Sequence, residues 1–232
     1  MKVTIHQPDF MPWLGFFNKV NNADVLVVLD HTENNPRDSA FWGRRVKVLL
    51  NGQETWFSVP LNKPQKGVIG VPIKDMTLNL NLQKEIKKKV LSIKQNYSKH
   101  PYFEEIFPLI ESYFNNRSDF LLDRNMDFIL KVMNGLSIDT KIIYSSSLNC
   151  HQKSTDLLIE IIKKIDGDTY ICGGGASGYQ EDNSFKDNDI MLEYNNFISP
   201  NYQQIKSPGF TSGLSIIDPL MNLGFNGVKE IL

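Results

Sequence analysis

The spacing of apolar residues changes several times along this chain, and each change marks an element. Lys2–Ile5 is a short β-prone start. From Pro12, the residues Trp13, Leu14, Phe16, Phe17 and Val20 recur at helical spacing. A proline suits the first turn of such a helix, and Asp9 is placed to cap it. ADVLVVLD (23–30) is a continuous, mostly branched apolar run, the pattern of a strand buried on both faces. Strand, turn, helix and strand within residues 2–30 make a βαβ unit, which implies parallel pairing and a right-handed crossover.

A different texture follows. RRVKVLL (44–50) and ETWFSVPL (54–61) flank Asn51-Gly52, the signal for a type I′ hairpin. Pro60, Pro64, Gly67, Gly70 and Pro72 then interrupt the chain, so loops and edge strands are expected there. Helical spacing returns near 80–96, 102–115 and 118–135. TKIIYSS (140–146), a helix at 152–165 and TYIC (169–172) restore the β/α alternation. IMLEYNNF (190–197) is strand-like, and a short helix starts from Ser215, with Asp218 three residues on to complete a capping box. The expected fold class is α/β: a central, mostly parallel sheet that opens with the βαβ unit. It forms one domain over 1–232, with hairpin 44–61 and a helical segment at about 80–135 as inserts.

Composition narrows the function classes. Among 232 residues, 41% are hydrophobic and 22% charged, enough for an ordinary buried core. A formal net charge of -1 argues against a broad nucleic-acid footprint, DNA included, and against a polybasic membrane anchor. KEIKKKVLSIKQ (84–95) is basic, but Ile86, Val90 and Ile93 give it one apolar face, so its lysines form the solvated side of a helix. Cys150 and Cys172 form neither a metal spacing nor a disulfide framework. No signal peptide or membrane-spanning run stands out, and the expected setting is the cytoplasm.

In open α/β sheets, ligands bind beyond the carboxyl ends of the strands. His6 and Gln7 end the first strand, Asp30 and His31 the second, Ser145, Ser146 and Ser147 the third, and Gly173, Gly174 and Gly175 the fourth. His6 could serve as a general base or as a donor to oxygen, with Gln7 beside it; the structural alternative is a buried histidine satisfied by backbone. Asp30 could hold a hydroxyl or a metal, or cap the next loop. Trp13 is a core residue or a stacking platform. Arg44 and Arg45 open the hairpin and could clamp a phosphate. Residues 173–178 (GGGASG) match G-x-G-x-x-G formally, but their continuation is polar and irregular. A backbone nest for phosphate or carboxylate fits better than a dinucleotide site. Tyr202-Gln203 and SIIDPLMNLG (215–224) follow no spacing rule that assigns a role.

The ordered segments HQPDFMPWLGFFNKV, ADVLVVLD, WFSVPL, YSSSL, Tyr179, NYQQ and LSIIDPLMNLG resemble the WbqC-like family of bacterial proteins, from the first strand almost to the C-terminus. The opening HQP-x-F-x-P-W-x-G and the closing S-I-x-D-x-L-x-N-x-G are the most specific parts. Such proteins are associated with gene clusters for O-antigen and other surface polysaccharides, so the resemblance implies work on an unusual sugar. The expected activity is acyl or aminoacyl transfer to the amine of a nucleotide-linked amino sugar. No tight cofactor is expected and no metal-site residue is assigned, and the activity admits aminoacyl-tRNA among the donors. His6, Gln7 and Asp30 form the expected catalytic set. Trp13, Arg44, Ser146, Ser147, Gly173, Gly174, Gly175, Tyr179 and Gln203 form the expected substrate-binding set. The first βαβ unit is also similar in topology to HIGH-type nucleotidylyltransferases of the HUP class. Trp13-Leu14-Gly15 stands where those enzymes carry a glycine-histidine pair. Nucleotidyl transfer with a rebuilt triphosphate site is therefore the alternative, and non-catalytic binding of a sugar nucleotide is the third.

Overall fold

The computed structural model describes residues 1–174 and 181–232. In chain order its main elements are β1 (Lys2–His6), α1 (Leu14–Asn21), β2 (Val25–Val28), β3 (Glu33–Asn34), β4 (Arg45–Leu50), β5 (Gln53–Ser58), β6 (Val71–Pro72), α2 (Gln83–Tyr97), α3 (Phe103–Asn115), α4 (Leu121–Gly135), β7 (Lys141–Tyr144), α5 (Ser154–Lys164), β8 (Thr169–Gly173), α6 (Asp182–Asp187), β9 (Met191–Asn195) and α7 (Ile217–Glu230). They divide into two compact units, one of residues 1–7, 15–31 and 138–198, the other of 8–14, 32–137 and 199–232.

The first unit is the α/β layer. Its five strands are all parallel, in the order β7-β2-β1-β8-β9. Counted along the chain this is third, second, first, fourth, fifth, the order of a doubly wound sheet whose direction of travel reverses beside β1. The register runs from Val3↔Val25 to His6↔Val28 on one side of β1 and from Lys2↔Thr169 to Thr4↔Ile171 on the other. All four residues of β2 are buried, as its unbroken apolar run requires. Alternate residues Val3, Ile5, Val25, Val27, Tyr170 and Cys172 form one face and pack with Leu157, Ile159 and Ile162 of α5 and Phe185 of α6. Each such aliphatic side chain contributes about 1.5–3 kcal/mol by leaving water.

The second unit holds the hairpin and most of the helices. Asn51 and Gly52 both take positive φ, 53° and 74°, which is the type I′ geometry that lets β4 and β5 pair from Leu50↔Gln53 to Arg45↔Ser58. The opening turn is part of this unit's core. Phe10 and Met11 are fully buried, the Phe10 ring meets Tyr113 and Phe57, and Asn125 Nδ2 donates to the carbonyls of Pro8 and Gly43, both at 2.7 Å.

Two local expectations change. The first helix starts at Leu14, not Pro12, because Met11 takes φ 45° and Trp13 bridges Ser215; Asp9 is therefore too far upstream to be its N-cap. The capping box at Ser215 does not form either. Ser215 Oγ accepts from Ile217 N at 3.3 Å and donates to Met11 O, while the Asp218 carboxylate is taken up by two tyrosines.

Gly224 interrupts α7 with φ 66° and ψ 179°, and a Cβ there would lie 2.6 Å from the Tyr102 ring. Only glycine adopts that conformation readily. Gly224→Ala should therefore lower unfolding stability by about 3 kcal/mol in urea denaturation. Gly209→Ala, where nothing lies within 4 Å of a Cβ, is the matched control, and equal stability of the two variants would refute the assignment.

Candidate functional site at the strand ends

In the α/β unit, the carboxyl ends of β2 and β7 are joined by one side chain. Asp30 is 3% exposed and uses both carboxylate oxygens. Oδ1 accepts from Ser145 Oγ at 3.0 Å and Ser146 N at 2.8 Å; Oδ2 accepts from Ser146 Oγ at 2.6 Å. The short 3-10 turn Ser145–Ser147 after β7 is what presents these donors. Three protein donors thus engage Asp30, which holds the two serines in place. Ser147 takes no part: it is exposed and its hydroxyl donates to Tyr144 O.

That arrangement determines the state of His31. Ser145 Oγ gives its single proton to Asp30, so its two lone pairs must accept. One accepts from Asp30 N at 3.2 Å, the other from His31 Nδ1 at 2.5 Å. His31 Nδ1 therefore carries a proton, and in the neutral ring Nε2 holds a lone pair. The ring is partly exposed, and among the described residues Nε2 makes no hydrogen bond.

His6 is a histidine of another kind. Its Nδ1–H donates to Gln7 O at 2.8 Å, and its ring lies edge-on to Phe16, 5.1 Å between centroids. Burial pushes its pKa down to about 3, the nearby Lys19 ammonium acts the same way, and the bond to Gln7 opposes them only in part. His6 stays neutral at physiological pH, with the proton on Nδ1 already engaged. Held neutral in this way, it is a poor base. Gln7 is partly buried beside it. At the end of β8, a Cβ on Gly173 would meet nothing within 4 Å among the described residues. Gly175 and Tyr179 lie outside the described residues.

The other expected substrate residues belong to the second unit. Trp13 is partly buried and bridges Ser215. Gln203 is exposed, whereas its neighbour Gln204 is buried and donates to Asp218 Oδ2 at 3.1 Å. Asp218 is fully buried and also accepts from Tyr97 at 2.9 Å and Tyr202 at 2.6 Å. Desolvation raises its pKa, and these three donors counter the rise. Asn222 Nδ2 donates to Asp218 O and its Oδ1 accepts from Ile205 N, so SIIDPLMN is a structural fastening for the C-terminal segment. Arg44 is half-buried; Arg45 stacks on Trp56, with Cζ 3.4 Å from the ring centroid. A groove of about 510 Å³ runs beside α2 and α3, lined by Ile86, Val90, Leu91, Phe107 and Phe114 among others, and none of the expected site residues lines it. Among the described residues, no group of His, Cys, Asp and Glu is arranged to hold a metal. Among the described residues, no helix is long and apolar enough to cross a membrane.

The model of the WbqC-like protein family matches residues 7–230. The chain belongs to the WbqC-like family. It is also similar to the uncharacterized protein Rv1507c of Mycobacterium tuberculosis (strain ATCC 25618 / H37Rv), at 24% identity over 226 residues, covering 96% of this chain and 94% of the relative. No solved structure matches.

In this WbqC-like chain, sequence reasoning noted His31 at a strand end but did not select it. The available signal was its place next to Asp30, since a strand-end Asp-His pair followed by a distant Ser-Ser is the raw material of a histidine relay. What spacing could not show is that Ser145 stands between them.

Two outcomes follow from these geometries. Asn in place of Asp30 turns one acceptor into a donor facing Ser145 or Ser146. Asp30→Asn should cost about 2 kcal/mol in chemical denaturation, and an unchanged midpoint would show the carboxylate to be dispensable. The depressed pKa of His6 makes its share of stability full above the unfolded value of 6.5 and progressively lost as pH falls toward 3. Between about pH 7.5 and pH 5 the wild type should lose about 2 kcal/mol more than His6→Gln, measured by urea unfolding at both values. Equal losses would mean that His6 is not held neutral.

Proposed function

We propose that this protein is a transferase that moves an acyl or aminoacyl group onto the amine of a nucleotide-linked amino sugar, in the making of a bacterial surface polysaccharide such as O-antigen. The relay Asp30–Ser145–His31 is the observation that supports transfer chemistry. It fixes one tautomer of a partly exposed imidazole and leaves a lone pair beyond the carboxyl ends of a doubly wound sheet. The substrate class follows from the expected association of WbqC-like proteins with surface-polysaccharide genes.

In the reaction, the sugar amine attacks the carbonyl carbon of an acyl or aminoacyl ester. The new C–N bond forms as the carbonyl electrons move onto oxygen, and the amine proton passes to His31 Nε2. Collapse of the tetrahedral intermediate breaks the ester C–O bond, and His31 returns the proton to the leaving oxygen. Asp30, through Ser145, keeps the ring in register and favours the imidazolium that forms between the two steps. His6, held neutral, and Gln7 lie at the neighbouring strand end, where they would help to position the incoming amine. Ser146 and Gly173 stand at ends of the same sheet.

The test is to incubate the purified protein with dTDP-amino sugars and acyl donors, aminoacyl-tRNA included, and to follow product mass. The expected result is a gain of one acyl or aminoacyl unit, falling about a hundredfold or more in His31→Ala and less in His6→Gln. Pyrophosphate release from a nucleoside triphosphate and a sugar phosphate would replace this with nucleotidyl transfer. Binding without turnover in every donor combination would leave a carrier protein and overturn the enzymatic assignment.

A further inference from the structure

At the foot of the hairpin in the second unit, three cations gather with no carboxylate within ion-pair distance among the described residues. β-strand alternation puts Arg45, Lys47, Trp56 and Ser58 on one face of the β4–β5 hairpin, opposite the buried face of Val46, Val48 and Phe57. Lys89, from α2, reaches this hairpin and donates from Nζ to both Ser58 O and Ser58 Oγ at 2.9 Å. Arg44, one residue before β4, donates from Nε to the neighbouring carbonyl of Val59 at 3.5 Å, and its terminal nitrogens make no hydrogen bond among the described residues. Arg45 stacks on Trp56 and gives Nη1 to Ser39 O at 2.9 Å.

The charge balance is lopsided. Lys47 is paired with Glu54 at 2.7 Å, but among the described residues neither Arg44, Arg45 nor Lys89 has a carboxylate within ion-pair distance. Burial, and then their proximity to other cations, depresses the pKa of both Arg44 and Lys89: Arg45 acts on Arg44, and Arg44 acts on Lys89. Glu85 relieves Lys89 in part. Beside this cluster stand two large, partly exposed indoles, one face of Trp56 being covered by Arg45. Trp42 and Trp56 are 44% and 42% exposed, and their rings pack edge-on at 5.5 Å. Half-buried, unbalanced cations next to exposed indoles are the two halves of a nucleotide site: an anion to neutralise the charge and a flat base to cover the rings.

We propose that Arg44, Lys89 and Ser58 bind the diphosphate of a nucleoside diphosphate, with the base stacked on the Trp42–Trp56 pair. This rests on the transferase assignment only for the choice of a nucleoside diphosphate as the ligand class; the site itself is built within the second unit. Lys89 joins Arg44 in place of Arg45, whose guanidinium is already committed to Trp56 and Ser39.

The probes are dTDP, inorganic pyrophosphate and thymidine, titrated calorimetrically and by tryptophan fluorescence. The expected result is that dTDP binds and quenches fluorescence, pyrophosphate binds more weakly without the quench, and thymidine is weakest. Arg44→Gln and Lys89→Gln should each weaken dTDP and pyrophosphate roughly tenfold or more. Trp56→Leu should weaken dTDP about tenfold and leave pyrophosphate unchanged. Lys89→Gln is the safer variant for folding, and an unchanged melting temperature accompanies a valid loss. Absence of dTDP binding, or binding untouched by both charge variants, overturns the proposal. Equal affinity for dTDP and pyrophosphate, insensitive to Trp56→Leu, overturns the nucleotide assignment. The same titrations on His31→Ala separate the two claims: retained dTDP binding without any acyl product in wild type counts against transfer and not against this site.

Discussion

The α/β unit depends on how one buried carboxylate is satisfied. A carboxylate withdrawn from water costs several kcal/mol unless donors replace the lost hydration. Asp30 receives three side-chain or backbone donors from a single turn after β7. The backbone ladder between β2 and β7 ends at Val28↔Tyr144, and Asp30 carries the connection beyond it. The same carboxylate takes the proton of Ser145, which obliges Ser145 to accept from His31. Strand registry, serine orientation and histidine tautomer are thus consequences of one constraint.

Two histidines at neighbouring strand ends consequently differ in kind. His6 is desolvated and its Nδ1–H is bound to its own chain, so it is held neutral. His31 is partly exposed and attached to a polar relay. Environment and not residue type sets the two imidazoles apart.

In the second unit, the carboxylate of Asp218 plays an organising part within its own core. Tyr97 from α2, Tyr202 and Gln204 from the tail segment all converge on it. The segments that made the chain recognisable as WbqC-like are in large part explained by this packing: Ser215 bonds to Met11 O, Ile216 N to Pro12 O, and Asn222 ties Ile205. The most legible motif residues are therefore structural, and the least legible ones, His31 and Lys89, are those with chemistry to spare.

By itself the sequence determined the elements and the sheet class. The short, largely β-branched apolar run of β2 reads as a doubly buried strand, helical spacing marks α2 to α5 to within a few residues, and Asn51-Gly52 admits the positive φ pair that a tight hairpin needs. It also placed polar residues at the strand ends, because that follows from alternation of strands and helices. The tertiary structure alone decided which polar groups meet. Asp30 and Ser145 are 115 residues apart, Tyr97 and Asp218 are 121 apart, and Lys89 reaches Ser58 from another element. Periodicity reports which face a residue is on; a hydrogen bond or a desolvated charge depends on distances of a few ångströms that exist only once the chain has closed on itself.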